Sequence, residues 1–240
     1  MDEKILCEVN GKVLLEAISK VKFAISKKWA RYYEVDLYKY LWLASRSGGL
    51  DVMGCSGNQL ALKQVDCVLY EDFELAIDLK NVAKIRKSNN YKFKINGNKL
   101  MLGDIEFDVY KQKLPDYRSF FNTTFKIQIN LARNTLLQAL EKVANKNKEG
   151  YYPVHMFVRP NECELIGLNG REEVACEAIV WEHAEKYFGL IINAEFLMHG
   201  LPKFDSEVVN LFFTHREGLI KVVGSKNDFI HFFMPMKYNS

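Results

Sequence analysis

The sequence predicts an α+β fold of two similar domains, each with two helices packed on antiparallel sheets. The main observation is an internal repeat, since residues 14–21 read Leu-Leu-Glu-Ala-Ile-Ser-Lys-Val and residues 136–143 read Leu-Leu-Gln-Ala-Leu-Glu-Lys-Val. Hairpin signals follow each repeat, and 240 residues are enough for two domains of ordinary size. The repeat places the boundary at about residue 121, which gives domains 1–121 and 122–240.

The repeated segments are predicted to be long amphipathic helices. In the first copy Leu14, Ile18 and Val21 fall at helical spacing, and the second copy repeats this pattern. These helices are predicted at 11–28 and 131–148, each shortly after an Asn residue.

A shorter helix is predicted later in each half. Asp78 and Asn193 both follow a strand-like segment and can act as N-caps. The shorter helices are therefore predicted at 79–88 and 193–203.

The segments after each helix alternate between apolar and polar residues, as strands do. Turn signals divide these segments into hairpins at Ser47-Gly48-Gly49, Asn96-Gly97, Asn169-Gly170 and Glu217-Gly218. Each half is thus predicted to contain two units of a strand, a helix and about three further strands.

Charge is distributed unevenly along the chain, although its net value is only +3. The four predicted helices hold 14 of the 33 Lys and Arg residues but only 3 of the 30 Asp and Glu residues. Lysines can collect on solvated helix faces without a function, but acidic residues normally accompany them there. The segregation favours an anionic partner that the helices reach. Because no helix-turn-helix, zinc finger or RNA-binding motif is present, we expect sequence-independent attraction to phosphates.

The sequence offers little support for an enzyme or a metal site. It contains no phosphate-binding glycine loop, zinc-protease motif or nucleophile elbow. The five histidines (His155, His183, His199, His215, His231) lack ligand-like spacing, and Asp116 is interpreted as part of a turn rather than as a catalytic base. We expect no catalytic residues, no metal and no cofactor.

The five cysteines, Cys7, Cys55, Cys67, Cys163 and Cys176, are scattered and form no CxxC pair. They are interpreted as reduced and mostly buried small hydrophobic residues. No apolar run has the length of a membrane-spanning helix, and the first residues do not have the order of a signal peptide. We therefore expect no membrane contact and a cytoplasmic location, in a bacterial cell or a phage-infected or plasmid-bearing host.

Four motifs resemble the bacterial replicative sliding clamp family, the β subunit of DNA polymerase III. They are Arg31-Tyr32-Tyr33, the segment Cys55 to Ala61, Leu114-Pro115-Asp116-Tyr117-Arg118, and the ending Phe233-Met234-Pro235-Met236-Lys237. The resemblance covers nearly the whole chain and matches residues 1–121 to the middle domain of the family and 122–240 to its C-terminal domain. A family subunit normally has a third, N-terminal domain, which is the chief departure.

The resemblance implies the DNA clamp fold and a DNA sliding clamp, or processivity factor, without enzymatic activity. Clamp domains close head to tail into a ring of six around duplex DNA, so a two-domain chain is expected to form a homotrimer. The expected DNA-facing residues are Lys12, Lys20, Lys22, Lys27, Lys80, Lys84, Arg86, Lys87, Arg133, Lys142, Lys146 and Lys148. The alternative is a clamp-derived peptide-binding module that does not encircle DNA.

The resemblance also implies a groove that binds short peptides of DNA polymerase, the clamp loader and repair proteins. The matching residues are Gly57, Asn58, Gln59, Leu60, Pro115, Phe120, Phe232, Met234, Pro235, Met236 and Lys237. Met side chains adapt to varied partners, although these could instead fill the core. The family usually has Asp-Gly-His-Arg at residues 56–59 and Arg at 237, so the polar part of the partner motif is expected to differ here.

Overall fold

The computed structural model describes residues 4–25, 39–110, 116–182 and 187–237. The chain divides into two compact units, Met1–Arg118 (unit 1) and Ser119–Ser240 (unit 2). Their boundary lies three residues before the position at which the repeat predicted a domain boundary. Lys27, Arg31-Tyr32-Tyr33, Leu114-Pro115 and His183 lie outside the described residues.

Unit 1 combines one α-helix with nine described strands. The elements are β1 Lys4–Asn10, α1 Gly11–Val21, β2 Leu41–Arg46, β3 Gly49–Cys55, β4 Gln59–Asp66, β5 Val68–Leu69, β6 Glu74–Ile77, β7 Asn90–Asn96, β8 Lys99–Leu102 and β9 Ile105–Tyr110. One antiparallel sheet has the order β5-β1-β7-β8-β9. The other has the order β4-β3-β2-β6-β9.

Unit 2 repeats this arrangement with two α-helices and eight described strands. The elements are β10 Ile127–Ala132, α2 Arg133–Val143, β11 Pro153–Arg159, β12 Glu162–Gly167, β13 Gly170–Trp181, β14 Phe188–Asn193, α3 Ala194–Gly200, β15 Val208–Phe213, β16 Ile220–Val223 and β17 Phe229–Phe233. Its antiparallel sheets have the orders β13-β10-β15-β16-β17 and β13-β12-β11-β14. The α+β prediction of two similar antiparallel domains is confirmed.

Helix α1 forms where local sequence and tertiary burial agree. The Asn10 side chain accepts a hydrogen bond of 3.0 Å from the Lys12 N–H, which caps the first turn. The buried residues of α1 then follow the predicted apolar stripe and pack on β3 and β4. Helix α2 packs in the same way on β12 and β13, although Ala132 at its N-cap provides no side-chain bond.

The end of each long helix packs against a glycine of the neighbouring strand. A Cβ atom at Gly54 would lie 2.4 Å from the Val21 carbonyl oxygen, and one at Gly167 would lie 2.2 Å from the Val143 carbonyl oxygen. Because these neighbours are backbone atoms, they cannot move aside as a side chain could.

We therefore expect Gly167→Ala to destabilise unit 2 by about 2 to 3 kcal/mol, within the usual range for overpacking. The measurement is the free energy of unfolding from chemical denaturation. Gly97→Asn is the control, because Gly97 has φ +59, which Asn tolerates, and a Cβ there would meet nothing within 4 Å. Equal stability of Gly167→Ala and the parent would contradict the close packing.

One predicted helix forms only a short turn, and two predicted helices end earlier than expected. The segment 79–88 forms only a 3-10 turn, Val82–Lys84, even though Asp78 accepts a hydrogen bond of 3.0 Å from the Lys80 N–H as predicted. Ile85 is extended and is the one buried residue of this segment, so packing does not support a longer helix. Helix α1 gives way at Val21 to a 3-10 turn, and α2 ends at Val143 because Ala144 is extended.

Helix α3 agrees closely with its prediction. The predicted cap residue Asn193 accepts a hydrogen bond of 3.4 Å from the Glu195 N–H. The helix continues into a 3-10 turn, Leu201–Lys203, so together they span the predicted segment. Unlike the segment after Asp78, this one combines its cap with burial of Leu197 and Leu201.

Candidate functional site

The predicted basic residues of α1 divide into exposed and buried ones. Lys12 is exposed, as is Lys22 in the 3-10 turn after the helix, whereas Lys20 is only 7% exposed. Lys20 follows Ala17 by three residues, which places it on the side of α1 that carries the buried stripe. Burial makes Lys20 a weaker candidate than Lys12 and Lys22 for a side chain that faces DNA.

A second basic group of unit 1 lies on the segment between β6 and β7. Lys80, Lys84, Arg86 and Lys87 are all exposed there, although only Lys84 belongs to the 3-10 turn. Lys80 pairs with Asp78 at 3.4 Å, and the described residues give no ion pair to the other three. The side chains of Lys84, Arg86 and Lys87 can therefore attract an anion without first breaking an ion pair.

In unit 2, the predicted basic residues differ in what they contact. The Arg133 guanidinium donates to the Phe204 carbonyl, and Lys142 pairs with Glu172 at 3.2 Å. Lys146 and Lys148 are exposed and lie on the loop after α2 rather than on the helix itself. Half-buried Arg133 has a structural role, so it is the weakest of the predicted DNA-facing residues in this unit.

Acidic side chains of unit 2 concentrate on the sheet formed by β11, β12 and β13. Glu164 is paired with Arg159 at 3.2 Å and with Arg171 at 2.9 Å. Arg171 also pairs with Glu173 at 2.6 Å. The arginines of this sheet are thus held by acidic neighbours, whereas Lys146 and Lys148 beyond the helix have no ion pair among the described residues.

An apolar cluster surrounds the C-terminal segment of unit 2. The Phe232 ring lies 5.4 Å from that of Phe120 and 5.8 Å from that of Phe121, both with edge-to-face geometry. Met234 is 39% exposed, while the Met236 N–H donates to the Ile191 carbonyl at 2.8 Å. The exposed apolar atoms suit a hydrophobic ligand group.

The structure assigns different roles to the predicted groove residues of this cluster. Phe232 is only 1% exposed and serves mainly as packing, and Pro235 and Met236 are half-buried, as is Phe120. Lys237 is exposed. The groove predicted from the sequence did not include Phe121, which is 43% exposed. Its position next to the predicted residue Phe120 was the one feature of the sequence that pointed to it.

The predicted groove residues of unit 1 form the turn between β3 and β4. Gly57 has φ +84, a conformation that favours glycine, and the Ser56 N–H donates to the Gln59 carbonyl at 3.0 Å. Gly57 and Asn58 are exposed, Gln59 is half-buried, and Leu60 is buried. Pro115 lies outside the described residues.

The residues after Pro115 are anchored in unit 1. The buried Tyr117 hydroxyl donates to Asp51 Oδ2 at 2.8 Å, and Asp51 Oδ1 lies 3.5 Å from Arg46 Nε. Burial raises the pKa of Asp51, while the Tyr117 hydrogen bond opposes that rise. Arg118 donates to the Ser45 carbonyl at 3.1 Å. The predicted turn at Asp116 stays a prediction, because Pro115 lies outside the described residues.

The described residues hold no group of three or more His, Cys, Asp or Glu side chains that could bind a metal ion. None of the helices within the described ranges is long and apolar enough to cross a membrane. Cys7, Cys55 and Cys163 are buried, and Cys67 and Cys176 are half-buried. The cysteine placement agrees with the expectation of mostly buried thiols.

His231 is the deeply buried histidine of unit 2. A Cβ atom at Gly200 would lie 2.5 Å from its Nδ1, so the ring packs directly on α3. Burial lowers the pKa of His231 to about 3, which keeps the imidazole neutral in the folded protein.

We expect acid to destabilise unit 2 through His231. Below the unfolded-state pKa of about 6.5, the unfolded chain gains a proton that the folded chain does not accept until about pH 3. The contribution of neutral His231 to the free energy of unfolding is therefore fully present above about pH 6.5. It falls as the pH decreases, by about 2 kcal/mol at pH 5. His231→Leu should lose this part of the pH dependence in denaturation curves, whereas the exposed-site control His199→Leu should keep it. An unchanged pH dependence in His231→Leu would contradict the assignment.

Comparisons with solved structures identify the fold. A DNA polymerase III beta subunit from Thermotoga maritima matches 99% of this chain with a TM-score of 0.83 and 19% identity. A sliding clamp from Pseudomonas aeruginosa, solved with a ligand, matches 97% with a TM-score of 0.81 and 17% identity. A beta subunit from Borrelia burgdorferi, in complex with a natural product, matches 100% with a TM-score of 0.81 and 14% identity. The predicted sliding-clamp fold is confirmed.

This chain covers only part of those proteins. It spans 66% of the Thermotoga and Pseudomonas chains and 65% of the Borrelia chain. No family model and no curated protein matches the sequence. The similarity to these structures therefore shows the fold of the two units.

Proposed function

We propose that this chain is a DNA sliding clamp, which encircles duplex DNA and tethers DNA polymerase and other replication or repair proteins. The observation that carries the proposal is the combination of the clamp fold with exposed basic residues on α1, on the 80–87 segment and on the loop after α2. Most of these side chains have no ion pair among the described residues, so they remain available to phosphates. Attraction of this kind is independent of sequence and permits sliding.

The proposed assembly is a homotrimer with six domains around the duplex. Each unit has a strand with one side to which the described residues pair no further strand: β9 over Ile105–Asp108 in unit 1 and β13 over Gly170–Ala175 in unit 2. On the β9 side, the Asn81 side chain donates to the Glu106 carbonyl at 2.7 Å. Unpaired backbone donors and acceptors favour pairing with another strand. A contact between two different edges is heterologous and closes a ring when its rotation permits.

We expect the purified protein to have a mass three times that of its 27.9 kDa chain. Sedimentation equilibrium over a concentration series is the measurement, and electron microscopy should show a central hole. A persistent monomer or dimer at micromolar concentration would contradict the proposed trimer.

The partner-binding part of the proposal is a peptide groove to which Met234 and Phe121 contribute exposed apolar surface. Its proposed ligands are short segments of polymerase and clamp loader that carry a Gln and spaced Leu or Phe residues. The loader is proposed as a separate ATP-driven protein, as the resemblance to the clamp family implies. The sequence of this chain contains no phosphate-binding loop that could power ring opening.

The second candidate is a clamp-derived module that binds peptides without encircling DNA. It is favoured by the aromatic and methionine cluster, in which the ring contacts of Phe232 with Phe120 and Phe121 lie within unit 2. A monomeric protein that binds peptides with micromolar affinity and leaves duplex DNA unbound would support this candidate. We propose that neither form is an enzyme.

A further inference from the structure

The loop between α2 and β11 carries two lysines in an ordered setting. Residues 144–152 connect the end of α2 at Val143 to β11 at Pro153. Lys146 and Lys148 are exposed, and the described residues give neither of them an ion pair. Glu149 is the single acidic residue of the loop.

Asn147 determines the shape of this loop. Its Oδ1 accepts hydrogen bonds from the N–H groups of Glu149 at 3.1 Å and Tyr151 at 2.9 Å. Its own N–H donates to the Tyr151 carbonyl at 2.7 Å, and its carbonyl accepts from Gly150 at 3.0 Å. An Asn side chain that replaces backbone partners in this way closes a tight turn.

Both ends of the loop are tied to neighbouring elements. At the first end, the Asn169 N–H donates to the Val143 carbonyl at 3.1 Å, and Asn145 Nδ2 donates to Asn169 Oδ1 at 3.1 Å. At the other end, the Tyr152 N–H donates to the Asn193 side chain at 3.1 Å, the same side chain that caps α3. The loop is therefore fixed between the end of α2 and the beginning of α3.

The ordered turn also positions a lysine stem. Gly150 has φ +91, and a Cβ atom there would lie 3.5 Å from Lys146 Cε, so the Lys146 stem lies against the turn. A lysine held by its surroundings loses less rotamer entropy when it meets a phosphate than a lysine on a disordered segment does.

We infer that residues 145–152 form a phosphate-contacting loop for the duplex backbone, in which Asn147 is the positioning residue for Lys146 and Lys148. This inference rests on the proposed DNA clamp function and assigns part of the contact to a loop rather than to a helix. The partner chemistry is a run of backbone phosphates, because two lysine charges provide no readout of base edges.

The experiment measures binding of a fluorescein-labelled DNA duplex by anisotropy over a series of salt concentrations. Lys146→Gln with Lys148→Gln should reduce the dependence of log K on log salt by about 1.8, since each phosphate that is no longer neutralised removes roughly 0.9. Asn147→Ala leaves the charge unchanged but should weaken binding several-fold and reduce the salt dependence. The matched control Asn161→Ala replaces an exposed Asn at the β11–β12 turn and should behave as the parent.

The outcomes separate this inference from the proposed function. A parent protein that does not bind the duplex would overturn both. Parent binding with an unchanged salt dependence in the double lysine variant would overturn the loop contact alone. Parent-like binding by Asn147→Ala, or equally weakened binding by Asn161→Ala, would overturn the positioning role. Gly150→Ala, which strains the same turn at positive φ, should weaken binding as Asn147→Ala does and replaces it if that variant does not fold.

Discussion

The triple variant Lys12→Glu, Lys84→Glu and Lys87→Glu is expected to bind duplex DNA a hundredfold or more weakly than the parent. All three lysines are exposed, and the described residues give them no ion pair. The salt dependence is the slope of log K against log salt concentration. Removal of one phosphate interaction should reduce the magnitude of this slope by roughly 0.9, so removal of three should reduce it by about 2.7. At 0.1 M salt each interaction contributes up to roughly eightfold in affinity, and the introduced carboxylates add repulsion.

A charge-matched control makes this result specific to the proposed surface. Lys92, Lys126 and Lys226 are exposed lysines outside the predicted DNA-facing set. Their triple replacement by Glu changes the net charge by the same amount but should leave the salt dependence near that of the parent. Equally weakened binding in both triple variants would show that overall charge, rather than this surface, governs binding.

Folding should survive the first set of substitutions. Lys12 lies in the first turn of α1, where acidic residues interact favourably with the helix dipole and where the parent has none. Thermal unfolding of both triple variants is the check on this point. The comparison of binding then concerns folded proteins only.

Truncation of the chain after Phe233 is expected to abolish peptide binding. The truncation removes the exposed Met234 and the Met236 N–H, which donates to the Ile191 carbonyl. Burial of one Leu or Phe anchor contributes about 1.5 to 3 kcal/mol, so two anchors contribute about 3 to 6 kcal/mol, which corresponds to a Kd of tens of micromolar or weaker in the parent. Removal of the Met surface should therefore leave no measurable binding.

The test titrates a fluorescent peptide that contains a Gln followed by spaced Leu and Phe residues. Truncation after Met236 is the matched control, because it removes Lys237 and the following residues but keeps both methionines. Phe232 and Phe233 are each only 1% exposed and remain in the truncated chain, so unit 2 should stay folded. Undiminished affinity in the folded shorter protein would place the groove elsewhere.

Local signals in the sequence were sufficient where one short segment decided the outcome. Asn193 caps α3 as predicted, because a cap depends on a side chain and an N–H only two or three residues away. The antiparallel hairpin at Asn96-Gly97 forms between β7 and β8 for the same reason. These features could be predicted from residue order alone.

Predictions that depended on the length of a helix were less successful. Asp78 provides its predicted cap, but the following residues find too little buried surface to continue beyond a 3-10 turn. The Asn residues at 145 and 147 use their side chains to shape a loop where the sequence predicted helix. Helix continuation depends on tertiary burial, which the periodicity of a short segment does not report.

In the candidate site, too, some features follow from the sequence and others depend on the tertiary structure. The sequence by itself determined the two-fold repeat, the antiparallel α+β class and the concentration of basic residues in a few segments, because these follow from pattern and composition. Only the tertiary structure decided that Lys20 is buried, that Arg133 bonds to the Phe204 carbonyl and that Phe121 lies exposed beside Phe232. Exposure and hydrogen bonding of a side chain depend on neighbours that are distant in sequence, so the same residue type can be surface charge in one place and packing in another.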